Sequence, residues 1–348
     1  MKTSAYGTTG ADQPLTPMSI ERREVGPRDV QIEILFSGIC HSDIHQARSE
    51  WGPARYPMVP GHEIVGRVTR VGEQVTTFKA GDLAGVGCMV DSCRTCESCA
   101  QSYEQFCQKT PAFTYNSTEM DRKTPTHGGY STHIVVTDHF VLKVPASLDL
   151  AGAAPLLCAG ITTFSPLREW KCGKGTRVAV VGLGGLGHMA LKLAIAMGAE
   201  VTMLSTSKSK EADAKRLGAH GFEVTSDKGT FKKLARHFDL IVDTVSAPHD
   251  YNAYLRLLRP FGVMSLVGVP PEPSAVAAFS LIEGNRRLTG SSIGGIAETQ
   301  AMLDFCAEHK IVSEIEMITA SQINEAYARV LKADVRYRFV IDAKTFVV

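Results

Sequence analysis

Four cysteines lie close together in the first third of the sequence, spaced as Cys93-x2-Cys96-x2-Cys99-x7-Cys107. Four thiolates at such spacings can form a tetrahedral shell around one Zn²⁺. An iron–sulfur cluster has related spacing, and a set of buried or redox-active cysteines is the plain alternative. Because four protein ligands leave no coordination position for a substrate, the spacing predicts a structural zinc site that pins a loop without an apolar core of its own.

Zinc ribbons also occur in proteins that bind nucleic acid, so the charge around this one matters. The neighbouring charged residues have both signs: Asp91, Arg94, Glu97, Glu104 and Lys109. The whole chain has 37 Lys and Arg against 36 Asp and Glu, a formal net charge of +1. We therefore expect neither nucleic acid nor an anionic membrane as a partner.

A second set of reactive side chains is crowded into Cys40-His41-Ser42-Asp43-Ile44-His45. Taken alone, this segment could be a polar loop. Gly61-His62-Glu63 adds a His–Glu pair in a glycine-punctuated region, and Cys158 follows much later. Thiol, imidazole and carboxylate groups bind metals and transfer protons. Spacing alone does not join residues 40, 62 and 158 into one site.

A glycine-rich stretch, Gly182-Leu-Gly184-Gly185-Leu186-Gly187, follows the apolar run Val178–Val181. Apolar residues at helical spacing come next, namely Leu186, Met189, Ala190, Leu193, Ala194 and Met197, and Gly198 is a natural helix stop. A strand, a glycine turn and a helix in this order are typical of dinucleotide binding. The glycines let the backbone approach a pyrophosphate at the helix N-terminus. The alternative is a tight turn that binds nothing.

The cofactor type is indicated by the next strand, Val201–Leu204. NAD enzymes usually end this strand with an acidic residue that binds the ribose. Here Ser205-Thr206-Ser207-Lys208-Ser209-Lys210 follows, and Glu200 lies before the strand. Hydroxyl and ammonium groups complement a 2′-phosphate, so the sequence predicts NADP(H), bound by Ser205, Thr206, Ser207 and Lys210. These residues could also simply cap the following helix, and both roles can hold together.

The surrounding pattern predicts an α/β protein of about two domains, at roughly 150 residues per domain for a chain of 348 residues. Residues 30–145 look β-rich, with strands expected at Val30–Ile34, Ile64–Val75, Leu83–Val86 and Tyr130–Val136. Residues 155–292 alternate apolar strands with helices, which indicates a parallel sheet covered by helices. The tail contains two helix-like stretches and a closing strand, Tyr337–Ile341.

In their order, the Gly-His-Glu pattern, the four-cysteine lobe and the late glycine motif resemble the zinc-dependent medium-chain alcohol dehydrogenases over nearly the whole chain. The sequence is similar to the cinnamyl alcohol dehydrogenase branch, which includes bacterial NADPH-dependent aldehyde reductases. The segments that carry this likeness are Cys40–Asp43 with His45, Tyr56–Gly61, Cys158–Thr163 and Tyr337–Val340.

The resemblance implies a GroES-like, β-rich catalytic domain at residues 1–157, which includes the structural-zinc lobe. It implies a Rossmann NADP-binding domain with a doubly wound parallel sheet at residues 158–294. A C-terminal segment, residues 295–348, is then expected to return to the catalytic domain.

The resemblance also implies a catalytic Zn²⁺ held by Cys40, His62 and Cys158, so that two zinc ions bind per chain. Such a Cys₂His set, known for this family, leaves a fourth position for water or substrate oxygen. Glu63 is expected as an alternative fourth ligand when substrate is absent, and Asp43 as the partner that orients His62. The alternative for each residue is a buried polar side chain satisfied by the backbone.

Proton transfer is assigned by the same likeness to Ser42 and His45. Ser42 is expected to contact the substrate oxygen and to pass a proton through the nicotinamide ribose. His45 would be the surface end of this path, since an imidazole titrates near neutral pH. An ordinary surface histidine is the alternative for His45.

Further contacts are implied by position in the related branch. The additional cofactor contacts are Thr162, Val267, Val269, Ser291, Ile293 and Arg338. The substrate-lining residues are Trp51, Phe113 and Ile293, which suggest a roomy apolar pocket for aromatic or medium-chain aldehydes. Plain core packing is the alternative for each lining residue.

The predicted activity is reversible hydride transfer between NADPH and small aldehydes or alcohols. The alternatives are a polyol or sugar dehydrogenase of the same superfamily and a non-catalytic binding protein on this scaffold. The resemblance implies a homodimer formed through the segment around Val269 to Ile293. The polar start, Met1–Gly10, lacks signal-peptide features, no apolar stretch approaches 18 residues, and we expect a cytoplasmic protein.

Overall fold

The structure, a computed structural model, describes residues 1–347 and contains two compact units. The first unit comprises Met1–Ile161 together with the chain from Gly294 onward, and the second comprises Thr162–Ile293. These units are groups of residues in mutual contact. The boundaries expected from the sequence, at 157/158 and 294/295, are boundaries between domains, which the units do not test. Those boundaries stay predictions.

Seventeen strands are present in the described chain. They are β1 (Lys2–Gly7), β2 (Thr16–Glu21), β3 (Asp29–Gly38), β4 (Ile64–Val71), β5 (Leu83–Val86), β6 (Met89–Asp91), β7 (Ala112–Phe113), β8 (His133–Thr137), β9 (Leu142–Lys143), β10 (Arg177–Val181), β11 (Glu200–Ser205), β12 (Gly221–Val224), β13 (Phe238–Asp243), β14 (Leu258–Leu266), β15 (Arg287–Gly290), β16 (Ile315–Ile318) and β17 (Arg338–Asp342).

Eleven α-helices are present in the same residues. They are α1 (His41–Ala47), α2 (Glu97–Ala100), α3 (Leu150–Ala153), α4 (Ala159–Glu169), α5 (Gly187–Ala196), α6 (Glu211–Arg216), α7 (Lys228–Lys233), α8 (Tyr251–Leu255), α9 (Ala278–Ile282), α10 (Ile296–His309) and α11 (Ile323–Leu331).

The first unit is built on a seven-stranded sheet with the order β16-β17-β3-β4-β5-β9, and β8 also pairs with β3. In β3, Val30, Ile32 and Ile34 are buried while Glu33 is exposed, because successive side chains point to opposite faces. The predicted alternation in this strand is therefore confirmed. Strand β17, from the C-terminal part of the chain, pairs antiparallel with the end of β3, where the chain turns into α1.

The second unit contains a six-stranded parallel sheet with the order β12-β11-β10-β13-β14-β15. This order is that of a doubly wound dinucleotide-binding fold. The helix predicted after the glycine motif is confirmed as α5, whose apolar face is buried at Met189 and Leu193. The chain leaves α5 through Gly198, whose φ of +92° is accessible to glycine at little cost.

Several local expectations were wrong. The strand expected to reach Val75 ends at Val71, because Gly72 turns back and its amide donates to Asp29 O at 2.8 Å. A Cβ on Gly72 would lie 2.2 Å from Gly26 O, so the turn requires glycine. The strand expected from Tyr130 begins only at His133.

Three elements were not expected from the sequence. The segment from Cys40 to His45 is not a loop but the start of α1, with Cys40 as N-cap. Strands β1 and β2 form an antiparallel hairpin in the polar N-terminal region. Strand β16 lies parallel to β17.

Within residues 1–347, no single helix has the length and apolar character needed to span a membrane. One pair of helical segments, Leu150–Leu157 and Ala159–Glu169, meets these criteria only when the two are taken together, and the pair is bent by 58°.

Candidate metal centre and cofactor site

Three separate segments of the first unit supply a buried group of metal-binding side chains. Cys40 follows β3 and begins α1, His62 and Glu63 precede β4 directly, and Cys158 follows a short 3₁₀ turn. The β3–β4 pairing aligns the first two segments, and the Gly38 amide donates to Glu63 O at 2.9 Å. The ligand atoms of all four residues lie within 4.8 Å of one another.

The geometry of this group fits a tetrahedral metal. Cys40 Sγ and Cys158 Sγ are 3.8 Å apart. Two sulfurs bound to tetrahedral Zn²⁺ at about 2.3 Å would be separated by about 3.8 Å. Both cysteines are free thiols, so no disulfide accounts for their approach. The group can therefore hold one zinc ion with two sulfur ligands and one nitrogen ligand.

Glu63 is completely buried and has two unlike oxygens. Oε1 forms an ion pair with Arg338, whose side chain is also buried. Oε2 has no hydrogen-bond partner among the described residues. Burial raises the pKa of the Glu63 carboxyl to about 7, while the Arg338 charge acts in the opposite direction. A buried carboxylate oxygen without a partner is suited to a metal ion.

Asp43 contacts His62 inside the same group. The two atoms, Asp43 Oδ1 and His62 Nδ1, are 3.0 Å apart, and Asp43 is fully buried. Burial alone would lower the pKa of His62, but the Asp43 charge and hydrogen bond raise it well above its ordinary value. This contact orients the imidazole and leaves Nε2 as the ring nitrogen available to a metal.

The two thiols of the group differ in acidity. A hydrogen bond from Cys158 and the charges of Arg338 and His62 lower the pKa of Cys40 well below its usual range. The pKa of Cys158 is raised because it donates to Cys40 and is buried. Cys88, which neither predicted site includes, also contacts Cys158, and that hydrogen bond lowers the pKa of Cys88.

The four-cysteine lobe forms a second group, in which the sulfurs of Cys93, Cys96, Cys99 and Cys107 lie within 4.8 Å of one another. Cys96 Sγ and Cys99 Sγ are 3.5 Å apart, and Cys93 Sγ and Cys99 Sγ are 3.9 Å apart. These separations also fit tetrahedral zinc with Zn–S bonds of about 2.3 Å. Between the last two cysteines, buried Glu104 accepts from Ile296 N at 3.0 Å and so ties the lobe to the start of α10.

The residues predicted for proton transfer lie on α1. Cys40 Sγ donates to Ser42 Oγ at 3.5 Å, which puts the hydroxyl beside the metal-binding group. His45 is one turn further along, and its Nδ1 contacts Glu50 Oε2. Its ring stacks on Trp51, with centroids 4.7 Å apart. The helix therefore carries a hydroxyl next to the buried group and an imidazole nearer to solvent.

In the second unit, the glycine motif connects β10 to α5. A Cβ on Gly187 would lie 1.8 Å from Gly182 O, which shows how closely the helix approaches the strand end. At Gly184 a Cβ would meet no atom within 4 Å. Gly185 and Leu186 complete the turn. The open space beside Gly184, at the N-terminal end of α5, is a cradle of the kind that accepts a pyrophosphate.

The hydroxyl-rich segment lies at the carboxyl end of β11. Ser205 is the last residue of the strand, and Thr206 and Ser207 are exposed. Ser207 Oγ accepts from Ser209 N at 3.3 Å, so the capping alternative holds for this residue. Lys210 ends the same short turn. Glu200 is the first residue of β11 rather than a residue before it, and lies at the opposite end of the strand from this segment.

The other predicted contacts are distributed over both units. Val267 N donates to Asp243 O at 2.9 Å, Ser291 N donates to Leu266 O at 3.0 Å, and Thr162 lies buried in α4. Val269 is 56% exposed. Ile293 has a φ of +41°, which is unusual for a β-branched residue. The predicted substrate residues Trp51 and Phe113 are 47% and 42% exposed, so neither is simply packed in a core.

Sequence reasoning missed two contacts of the metal-binding group. Arg338, expected near the cofactor, forms the buried ion pair with Glu63. Tyr130 donates its hydroxyl to Asp43 Oδ2 at 3.0 Å. Neither contact has a sequence signal, because the partners are far apart along the chain and no motif links them.

Comparisons with known proteins agree with this geometry. Residues 26–146 match the alcohol dehydrogenase GroES-like domain, and residues 185–308 match the zinc-binding dehydrogenase family. The chain is 59% identical over 340 residues to NADP-dependent alcohol dehydrogenase C 1 of Mycolicibacterium smegmatis, covering 97% of each chain. It is 54% identical to aldehyde reductase YahK of Escherichia coli, covering 99% of each chain.

A solved structure of cinnamyl alcohol dehydrogenase from Sorghum bicolor superposes with a TM-score of 0.96 at 47% identity, covering 99% of this chain and 98% of that one. The fold class expected from the sequence, a GroES-like domain with a Rossmann domain, is confirmed. The chain belongs to the zinc-dependent alcohol dehydrogenases, in the branch that includes the cinnamyl alcohol dehydrogenases.

Proposed function

We propose that the protein is an NADPH-dependent zinc enzyme that interconverts aldehydes and alcohols and works mainly as an aldehyde reductase. The observation that carries this proposal is the buried Cys₂-His-Glu group, whose two sulfurs are 3.8 Å apart. Relatives at 59% and 54% identity are an NADP-dependent alcohol dehydrogenase and an aldehyde reductase.

Cys40, His62 and Cys158 hold the catalytic zinc, and Cys93, Cys96, Cys99 and Cys107 hold the structural one. Bound Zn²⁺ supplies a Lewis acid that polarises the substrate carbonyl. Asp43 keeps His62 in one tautomer, with Nδ1 turned away from the metal position. Glu63 offers its unpartnered Oε2 to the same position when no substrate oxygen is there.

Protons are delivered along α1. The Ser42 hydroxyl lies beside Cys40 and donates a proton to the substrate oxygen as hydride arrives at the carbonyl carbon. His45, whose Nδ1 contacts Glu50 Oε2, would take up a proton from solvent and return it to Ser42 through the nicotinamide ribose. The proposal follows from the order of the two residues on one helix, with Ser42 next to the buried group.

The cofactor is NADP(H), which supplies the hydride. The cradle at Gly182–Gly187 binds its pyrophosphate, and Ser205, Thr206, Ser207 and Lys210 bind the 2′-phosphate. Exposed hydroxyls and an ammonium group at the carboxyl end of β11 support this assignment. Thr162, Val267, Val269, Ser291, Ile293 and Arg338 are the remaining proposed cofactor contacts.

The proposed substrates are aromatic and medium-chain aldehydes. Trp51 and Phe113, both in the first unit, offer exposed aromatic surface. Large apolar side chains that no core covers are suited to an apolar substrate. A substrate with several hydroxyls would need more polar partners than these two aromatic residues offer.

The test follows oxidation of NADPH and NADH in parallel, by absorbance of the reduced nicotinamide, with benzaldehyde, cinnamaldehyde and butyraldehyde. We expect rapid oxidation of NADPH and slow oxidation of NADH. Lys210→Ala should raise KM for NADPH and leave KM for NADH unchanged. The matched control is Lys232→Ala, which removes an exposed lysine on α7. A preference for NADH would contradict the cofactor assignment, and no oxidation of either by zinc-replete protein would contradict the activity.

We further infer a homodimer in the cytoplasm. Phe279 and Ile282 on α9 are 78% and 68% exposed, and the sheet of the second unit ends at β15. An exposed apolar surface and an open strand edge each favour pairing with a second copy. Light scattering should give the mass of a dimer for the wild type and the mass of a monomer for the double variant Phe279→Glu with Ile282→Lys. A monomeric wild type would contradict the proposal. All nine cysteines are free, which favours a reducing compartment such as the cytoplasm. Cell fractionation tests this location.

A further inference from the structure

The carboxylate of Asp43 has a partner in every direction. Oδ1 accepts from Gly61 N at 3.2 Å and faces His62 Nδ1 at 3.0 Å. Oδ2 accepts from Cys40 N at 2.8 Å and from Tyr130 Oη at 3.0 Å. Two of these donors are backbone amides, that of Cys40 itself and that of Gly61, which precedes His62. The phenol of Tyr130 is the fourth donor and comes from a side chain without a place in the proposed metal centre. Tyr115, another buried phenol, also hydrogen-bonds to Asp43.

Tyr130 is fully buried and is itself held by a second phenol. The hydroxyl of Tyr327, on α11, donates to Tyr130 Oη at 3.4 Å, and Tyr327 is 5% exposed. A chain of hydrogen bonds therefore runs from Tyr327 through Tyr130 and Asp43 to His62. Burial and the nearby Asp43 charge raise the pKa of both phenols well above the usual value, so each stays a neutral donor.

The backbone fixes Tyr130 against the segment that carries His62. Tyr130 N donates to Pro60 O at 3.0 Å, and Gly129 N donates to Gly61 O at 2.9 Å. Gly61 has a φ of +106°, and a Cβ there would lie 2.7 Å from the Tyr130 ring. The ring thus packs on the residue directly before His62, and the hydroxyl has little freedom to leave Asp43.

We propose that Tyr130, supported by Tyr327, is a positioning residue for the metal-binding His62, acting through Asp43. This inference rests on the proposed function, since it assumes that His62 binds zinc. By holding Oδ2, the phenol prevents Asp43 from rotating and keeps Oδ1 on His62 Nδ1. The imidazole is then held in the tautomer and orientation that a tetrahedral metal requires. Partners of this kind change metal affinity although they never touch the metal.

The test compares Tyr130→Phe with Tyr56→Phe. The hydroxyl of Tyr56 donates to Ala47 O at 2.8 Å at the end of α1 and does not contact Asp43. Each variant therefore loses one phenol hydrogen bond in the first unit, but only Tyr130→Phe breaks the chain. Zinc release to a chromogenic chelator is followed over time. The kinetic phase of release that is absent in Cys158→Ser is assigned to the catalytic site.

We expect Tyr130→Phe to release the catalytic zinc roughly tenfold faster than wild type, since loss of an outer-shell partner weakens metal binding by about 10- to 100-fold. Zinc release from the four-cysteine lobe should not change, and Tyr56→Phe should behave as wild type in both phases. Tyr327→Phe should accelerate the catalytic phase by less than Tyr130→Phe. Protein loaded with Co²⁺ should have altered ligand-field bands in Tyr130→Phe but not in Tyr56→Phe, a change that loss of stability alone does not cause.

Two results would overturn the inference alone: an unchanged catalytic phase in Tyr130→Phe, or equal acceleration of both phases, which would indicate general destabilisation. If Tyr130→Phe does not fold, Tyr327→Phe decides, because an unchanged catalytic phase there also overturns it. A wild-type protein with no phase removed by Cys158→Ser would instead overturn the proposed metal centre, and the inference with it.

Discussion

Glu63 and Arg338 lie 275 residues apart in the sequence, yet their side chains form an ion pair that is almost completely buried. Arg338 begins β17, which pairs with β3, and Glu63 precedes β4 on the other side of β3. The pair therefore joins the two strands that flank β3, next to the candidate metal centre.

Removing the cation from this pair should destabilise the protein strongly. In Arg338→Met, the Glu63 carboxylate would be left buried without its counter-charge, which costs about 3–5 kcal/mol of unfolding free energy. Denaturant titration measures the loss. The double variant Glu63→Gln with Arg338→Met should recover part of it, because no buried charge remains. A loss below about 1 kcal/mol in Arg338→Met would contradict a structural role for the pair.

Turnover should depend on the hydroxyl of Ser42. Ser42→Ala removes the proposed proton donor, so kcat for aldehyde reduction should fall by about 10²- to 10⁴-fold. Zinc content, measured by atomic absorption, should stay at the wild-type value because the serine is not a ligand. Ser321→Ala, at an exposed position outside the site, is the control. Unchanged turnover in Ser42→Ala would remove this residue from the proton path.

Substitutions in the glycine motif should distinguish an effect on cofactor binding from an effect on stability. A Cβ at Gly184 enters open space, whereas one at Gly187 would meet Gly182 O at 1.8 Å. Gly184→Ala should therefore keep the wild-type melting temperature and weaken NADPH binding, measured by fluorescence titration, while Gly187→Ala should lower the melting temperature. Gly173→Ala is the control, since its Cβ would be 3.7 Å from the nearest atom. Wild-type NADPH affinity in Gly184→Ala would contradict the proposed cradle.

The stability contributed by His249 should fall at alkaline pH. Its Nε2 lies 2.8 Å from buried Asp243 Oδ2. Burial alone would lower the pKa of His249, but the Asp243 hydrogen bond, a bond to Ala247 O and the charges of Asp243 and Asp250 raise it above 6.5. A histidine whose pKa is raised in the folded state contributes its full stabilisation at pH values below its unfolded-state pKa. This contribution is lost as the pH rises through the folded-state pKa.

The difference in melting temperature between wild type and His249→Gln should accordingly be largest near pH 6 and shrink towards alkaline pH. Because the glutamine cannot titrate, the variant serves as the pH-independent reference for this one group. A difference that grows with pH would contradict the raised pKa of His249.

Local periodicity predicted the elements that depend on neighbouring residues. The alternation in Val30–Ile34 and the helical spacing after Gly187 are both present in the structure, because burial of one face imposes each period. The hairpin of β1 and β2 escaped notice because its strands are polar and are recognised only by their mutual pairing. The predicted end of a strand was wrong where a close approach between two backbone segments sets that end, as it does between Gly72 and Gly26.

The composition of the metal centre could be predicted only through resemblance to a family. Nothing in the spacing of Cys40, His62 and Cys158 brings them together; the β3–β4 pairing and the turn before α4 do so. The partners of this group were less accessible still. Tyr130 and Arg338 reach it through backbone pairings in other parts of the chain, and a single sequence contains no signal of such long-range contacts.

The return of the chain to the first unit has a consequence for its biosynthesis. Strand β3 is made before the second unit, but its partner β17 is made only after the whole of that unit. The second unit, by contrast, is continuous, from Thr162 to Ile293, and can fold as soon as it has emerged. During translation the nascent first unit therefore has to keep the edge of β3 unpaired, and the arginine that neutralises Glu63 is still missing. Newly made chains should depend on chaperones in this interval, and premature termination before β17 should yield a protein with one folded half.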